Sequence, residues 1–366
     1  MSKRLIPILL ALFLSLAGLT ACDSPSPPAA PSPPPLASEL VFYDWVDDMP
    51  QAVLDDFTRE YGVAVKLVTY ESPEEAYANL RAGEVYDVVV VESRKIPTLV
   101  RENLLAEINH GNLPNFKNIA ANFRDLAYDP GNRHSVPSSW GTVGLVIRGD
   151  LVAEPVTRWI DLWDARYAGR VGFWFDMPRE VIAIALKSLG YSGNSEAPAE
   201  LEAALRHLLA LKPQMLRLEE FDPNMATGVM NSGQAVLAMA WAGDALEGRE
   251  LNPAIIHALP EEGALLWGDN FVVPANSPNR HTAEVFINFL LRPEVSARLV
   301  EELRYPTPNE AALPLIDPEI LNDPIIFPPN ADLQKAELIL PLSPEGEKRY
   351  AELWERFMAA DPQGEQ

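Results

Sequence analysis

LVFYDW at 40–45, VAVKLVTY at 63–70 and DVVVVES at 87–93 are apolar runs of strand length, and the segments between them have helical spacing. In the first gap Pro50 stands in a first helical turn, Val53, Leu54, Phe57 and Tyr61 recur on one face, and Gly62 marks the stop. In the second, Ser72-Pro73-Glu74-Glu75 supplies an N-cap, a proline at N1 and a glutamate at N3, which is the pattern of a capping box, and Gly83 closes the helix. The third run is apolar throughout, so it is expected to be a central strand with parallel neighbours. This β-α-β-α-β order predicts a doubly wound α/β fold.

The alternation resumes beyond WGTVGL at 140–145. GRVGFWFD (169–176) reads as a strand feeding a helix that buries Val181, Ile182, Ala185 and Leu186. ELEAALRHLLAL (200–211) is an amphipathic helix, AVLAMAW (235–241) and ALLWGDNFVVP (264–274) are strands, and 282–291 and 293–303 are helices. There is no internal repeat. The chain beyond residue 38 is long enough for two domains of about 150 residues each.

Ahead of the first strand lie two segments of different character. Lys3 and Arg4 precede an apolar run over 5–16, too short to span a bilayer as a mature helix and the right length for an export signal. The following LTAC at 19–22 resembles a bacterial lipobox, with Cys22 as the lipid attachment site and 1–22 as a lipoprotein signal peptide. Residues 23–38, DSPSPPAAPSPPPLAS, cannot bury a core and should run as a polyproline tether of roughly 50 Å at about 3.1 Å per residue. Asp23, directly after the cysteine, is the residue that in enterobacterial lipoproteins favours the inner membrane.

Composition excludes several function classes. With 29 Lys plus Arg against 52 Asp plus Glu, the net charge is −23, which argues against nucleic acid and favours neutral or cationic partners. One cysteine cannot form an internal disulfide or a Cys-rich zinc site. No G-x-S-x-G, H-E-x-x-H or phosphate-loop motif occurs, and His110, His134, His207, His257 and His281 are isolated from one another. Neither catalysis nor a cofactor or metal is expected.

Ligands of open α/β sheets bind beyond the carboxyl ends of the strands. There the sequence places Trp45 with Asp47 and Asp48, then Glu92 and Ser93, Asp176 with Glu180 a turn later, and Trp241. Trp267 and Asp269 are two apart in a strand and share a face. Indole faces attract ammonium groups and carboxylates pair with them, so the set suits an organic cation. Singly, each has a plainer reading: strand-terminal tryptophans pack cores, and Asp176 and Glu180 flank a helix start where acids cap free N–H groups. Arg179, beside Glu180, reads as a salt-bridge or surface residue.

FYDW at Phe42, LGYSGN at Leu189, MAW ending at Trp241, FVVPANS at Phe271, INFLLRPEV at Ile287 and YPTPNEAA at Tyr305 together resemble the spermidine/putrescine-binding periplasmic proteins of ABC transporters, in order and spacing over about 40–357. The resemblance implies a two-lobed type II periplasmic-binding-protein fold with crossing hinge strands and a polyamine held between the lobes. One lobe would comprise 39–145 plus about 266–310, the other 146–265 plus about 311–366. It implies ligand-binding roles for Trp45, Glu180, Trp241, Trp267, Asp269 and Tyr305, aromatics sandwiching the chain and carboxylates anchoring amines. The departures are Asp48 where the family commonly has a tyrosine, Glu92-Ser93-Arg94 in place of a Ser-Thr-Tyr run, Met177 in place of an aspartate, and a leucine near Leu340 in place of a glutamine. Arg94 either pairs with Glu92 or points to solvent, or else it faces the cleft and selects a zwitterionic or modified amine. The function implied is a monomeric, lipid-anchored, extracytoplasmic solute-binding protein delivering a polyamine to an ABC permease in the membrane. A sensor reporting ligand occupancy to a membrane partner is the alternative, and a lipoprotein hydrolase a weaker third.

Overall fold

In the computed structural model, residues 34–173, 177–216 and 225–360 are described. β1 (Glu39–Trp45) pairs in parallel with β2 (Ala64–Tyr70) along its full length. Between them α1 (Gln51–Tyr61) buries Val53, Leu54 and Phe57 and ends on Gly62, whose φ of 69° costs a residue without Cβ nothing. α2 (Pro73–Ala82) follows, capped as its sequence predicts: the Ser72 hydroxyl accepts from the Glu75 N–H at 3.3 Å. The reciprocal bond of a capping box is displaced, because the Glu75 carboxylate accepts from the N–H of Glu71 rather than Ser72. Ser72→Ala is expected to lower stability by about 1 kcal/mol, read as a lower urea midpoint at unchanged slope.

β3 (Val88–Glu92) is central, with β1 parallel on one side, and α3 (Ile96–Arg101) closes this segment. Then comes β4 (Ser135–Arg148), a 14-residue strand that sequence patterning misses. Pro137, two serines, Gly141 and Gly144 disrupt its alternation, and each glycine has a packing reason. A Cβ on Gly141 would lie 2.5 Å from the Trp267 ring, and one on Gly144 2.6 Å from His257 Nε2. The pairing also shifts register between Pro137 and Ser139, a bulge that adds local twist.

The remaining elements are β5 (Val171–Gly172), α4 (Pro178–Ser188), α5 (Pro198–Leu211), α6 (Met225–Ser232), β6 (Leu237–Trp241), α7 (Ala242–Leu251), β7 (Ile255–Ala258), β8 (Leu265–Val272), α8 (Arg280–Leu290), α9 (Pro293–Leu303), α10 (Pro318–Leu321), β9 (Glu337–Leu338) and α11 (Pro344–Ala359). Of the strand read over 169–176 only β5 forms within the described residues, and 174–176 lie outside them. Strand order is β2-β1-β3-β8-β4-β6-β5, with β7 also on β4 and β9 on β8.

β8 is antiparallel to both β3 and β4. The expectation that β3 has parallel neighbours therefore holds on one side only. Its apolar run comes from burial on both faces: Val90 packs with Phe42, Phe271 and Phe286 on one, Val89 and Val91 with Tyr43 and Val272 on the other. A separate core gathers Leu145, Val171, Ile182, Leu208 and Leu237 with Tyr350, Leu353 and Phe357 of α11. Among the described residues, only β4 and β8 run through both cores. The molecule is thus a two-lobed α/β protein of the periplasmic-binding type, with crossing strands between the lobes.

Candidate ligand-binding site

The first lobe delivers its acids at the ends of β1 and β3. In β1, side chains alternate, so Phe42 and Asp44 point together into the face that Val90 and Phe271 line. Asp44 is buried, its Oδ1 accepting the Trp45 N–H at 2.8 Å. The chain then turns sharply: Asp47 adopts a left-handed φ of 63° and the Asp48 N–H reaches the Trp45 carbonyl at 3.4 Å, which brings Asp48 back toward Asp44. Trp45 stacks at a tilt on Tyr70, centroids 4.6 Å apart, and the Tyr70 hydroxyl donates to the Val90 carbonyl at 2.8 Å.

The crossing strands supply the next group. Register sets Asp269 of β8 opposite Glu92 of β3 on one side and Ser139 of β4 on the other. Asp44, Asp48, Asp269 and Tyr305 all line one cavity of about 60 Å³. Trp267 packs over Gly141 and meets Tyr305 edge-on, centroids 5.6 Å apart at 89°. With Asp269 and Trp140 it also lines a larger, mainly apolar cavity of about 550 Å³ along the crossing strands. Trp241 ends β6 and caps α7, whose Gly243 lies against the Tyr305 ring.

Burial raises the acids. The Asp48 carboxyl is pushed up to about 7, by burial and by the charge of Asp47. Asp44 is held well above the usual carboxylate range by burial and then by Asp48, against the help of the Trp45 N–H. Asp269 is raised by burial, then by Glu92, Asp48 and Asp44, with Arg94 opposing. Tyr305 is raised by burial and by surrounding acids, so it stays a neutral donor. Three carboxyls that resist ionisation together, walled by two aromatics, are a place where an added cation is strongly favoured.

Not all the predicted residues are free to meet a ligand. Glu92 is paired: Arg94 donates to both its oxygens at 3.1 Å, and the Tyr77 hydroxyl adds a third bond at 3.2 Å. Arg94 therefore pairs with Glu92. The Ser93 hydroxyl donates to the Gly268 carbonyl at 2.8 Å and accepts from Asn270 at 3.0 Å, bracing β3 against β8. Glu180 is buried in the first turn of α4 in the second lobe, where its charge helps to hold Arg94 protonated. Asp176 and Cys22 lie outside the described residues.

Two residues were misjudged or overlooked from sequence. Arg179 is no surface residue: it is 6% exposed, donates to the Gly193 carbonyl at 2.8 Å and to Asn194 Oδ1 at 2.7 Å, and stacks on Tyr350 at 4.8 Å. Asp44 escaped notice inside the strand FYDW; the signal was an acid in phase with the buried Phe42.

Comparison with known proteins accords with this arrangement. The profile described as "Bacterial extracellular solute-binding protein" matches residues 52–328. The spermidine/putrescine-binding periplasmic protein of Escherichia coli K12 is 37% identical over 301 residues, covering 81% of this chain and 85% of the relative. A putrescine/agmatine-binding protein of Pseudomonas aeruginosa is 31% identical, covering 78% and 82%. Among solved structures, the spermidine/putrescine ABC transporter substrate-binding protein of Streptococcus pneumoniae superposes with a TM-score of 0.80 at 30% identity, covering 88% of this chain and 99% of that one. Such proteins bind and present a solute rather than transform it. No helix among the described residues is long and apolar enough to cross a membrane. The chain belongs to the bacterial extracellular solute-binding proteins, in the family of the spermidine/putrescine-binding periplasmic proteins of ABC transporters.

Proposed function

We propose that this protein captures a cationic amine of the polyamine class between its lobes and delivers it to an ABC import permease. The observation that carries the reading is the trio of buried Asp44, buried Asp269 and half-buried Asp48, which shares a cavity with Tyr305 and has no ion pair among the described residues. An ammonium group placed there is paired with charge instead of being desolvated alone. Trp267 and Tyr305, with Trp45 and Trp241 at the neighbouring strand ends, would pack the methylene chain. Binding would hold lobes 39–145 plus about 266–310 and 146–265 plus about 311–366 closed about β4 and β8 by contacts made only in that state. Export by residues 1–22, lipidation of Cys22 and a tether ending before Leu36, since Leu36, Ala37 and Ser38 dock on the first lobe rather than continuing the tether to 38, would keep the monomer at the outer face of the cytoplasmic membrane, within reach of the permease.

Titration calorimetry with putrescine, spermidine and spermine tests this. Saturable binding of at least one of these amines, or of an acylated or carboxylated form, is expected, and no heat with any of them overturns the reading. Trp267→Ala is expected to weaken that binding about tenfold, the worth of one well-placed indole face toward an ammonium.

A further inference from the structure

The charge at the carboxyl ends of the first lobe's strands is divided. Asp44, Asp48 and Asp269 form one end, a cavity lined by the first lobe, without a salt bridge among the described residues. The other end begins one side chain away, at Glu92, directly across β3–β8 from Asp269. There the acids are already answered. Arg94 grips Glu92 through two bonds at 3.1 Å, and the charges of Glu92 and of Glu180 from the opposite lobe hold it protonated against its burial. Arg179 adds a second buried guanidinium whose Nε–H has no partner. Arg94, from the first lobe, and Arg179, from the second, line a cavity of about 380 Å³ between the lobes together with Tyr350 and Trp354. The other acids on that cavity, Glu74, Glu347 and Glu355, are solvent-exposed, so water screens them.

An ammonium arriving at this second end would meet the cations of Arg94, Lys95 and Arg179 on the cavity wall, with Glu92 already held by Arg94, and would gain little. A carbonyl or carboxylate oxygen would meet a favourable field from the same three cations. We propose that Arg94 is a specificity-determining residue: by neutralising Glu92 it makes the protein prefer an ω-amine with one ammonium and a carbonyl oxygen at its far end, over diamines and triamines. The inference rests on the amine-binding reading above and narrows it. The carbonyl could belong to an N-acylated diamine or to an ω-amino carboxylate, and the two are separate arms of the test.

Calorimetry on the wild-type protein with N-acetylputrescine, γ-aminobutyrate, putrescine and spermidine is the first measurement. At least one of the first two is expected to bind ten times more tightly than putrescine or spermidine. Arg94→Gln, which releases the Glu92 charge, is expected to move that ratio at least tenfold toward putrescine. The double variant Glu92→Gln/Arg94→Gln removes both charges, leaves no unpaired acid to harm folding, and is expected to keep the wild-type preference. Wild-type preference for putrescine or spermidine by tenfold, or an equal ratio in all three proteins, overturns the proposal while leaving amine capture standing. Silence with all four ligands overturns both.

Discussion

Asp269→Asn is expected to weaken amine binding by about thirty- to a thousandfold while raising the melting temperature of the ligand-free protein. The first half follows from burial. Asp269 is 8% exposed and central to the acid trio, so an ammonium in that cavity depends on its charge. Removing one member of a buried charged contact costs about 2–4 kcal/mol, which is that loss of affinity. The second half follows from the empty site, where the carboxyl is forced upward by burial and by Glu92, Asp48 and Asp44. Asparagine keeps the shape and removes the repulsion. Calorimetry and thermal melts at pH 8 check both signs. Unchanged affinity would place the amine elsewhere, and a fall in melting temperature would mean that Asp269 supports the fold.

Amine affinity is expected to fall about ten- to a hundredfold between pH 8 and pH 5.5, long before an ordinary carboxylate titrates. Asp48 carries its proton up to about 7 instead of 3.8, through burial and Asp47. A bound cation needs the ionised form, so below pH 7 the ligand must expel a proton, at up to tenfold in affinity per pH unit for each proton displaced. Stability runs the other way. A carboxyl whose folded pKa is raised contributes stability that is complete below 3.8 and lost as pH rises through about 7. The free protein should therefore soften toward pH 8 while the protection given by ligand grows. Asp48→Asn should flatten both trends. Binding heats at pH 7 in buffers of different ionisation enthalpy should differ by the protons released, and identical heats would contradict a protonated trio.

Much of this was legible before any coordinates. Strand-helix alternation with capping residues located β1 to β3 and α1, α2, α4, α5, α8 and α9 to within a few residues, because local propensity and burial agree there. β4 was not legible, since its sequence answers to what lies across it: Gly141 is bare to accommodate Trp267 and Gly144 to accommodate His257. The strand-end rule named Trp45, Asp48 and Trp241 as candidates, and strand alternation named Trp267 and Asp269. Neither could separate Glu92, satisfied by Arg94 and Tyr77, from Asp269, which has no salt bridge among the described residues, because that distinction lives in three-dimensional pairing. Asp44 and Arg179 were missed for the same reason: an acid within a strand and an arginine at a helix start are ordinary until their burial is known.

The contact between Trp267 and Gly141 has one more consequence. With no side chain between them, the indole rests directly on the main chain of β4, one of the two strands common to both cores. Floor and lever are then a single mechanical part: a bend of β4 carries the ring with it, and pressure on the ring is pressure on the strand. A solute resting on Trp267 would feel the hinge without any intervening relay, and the near-ultraviolet dichroism of that tryptophan would track the lobes in real time.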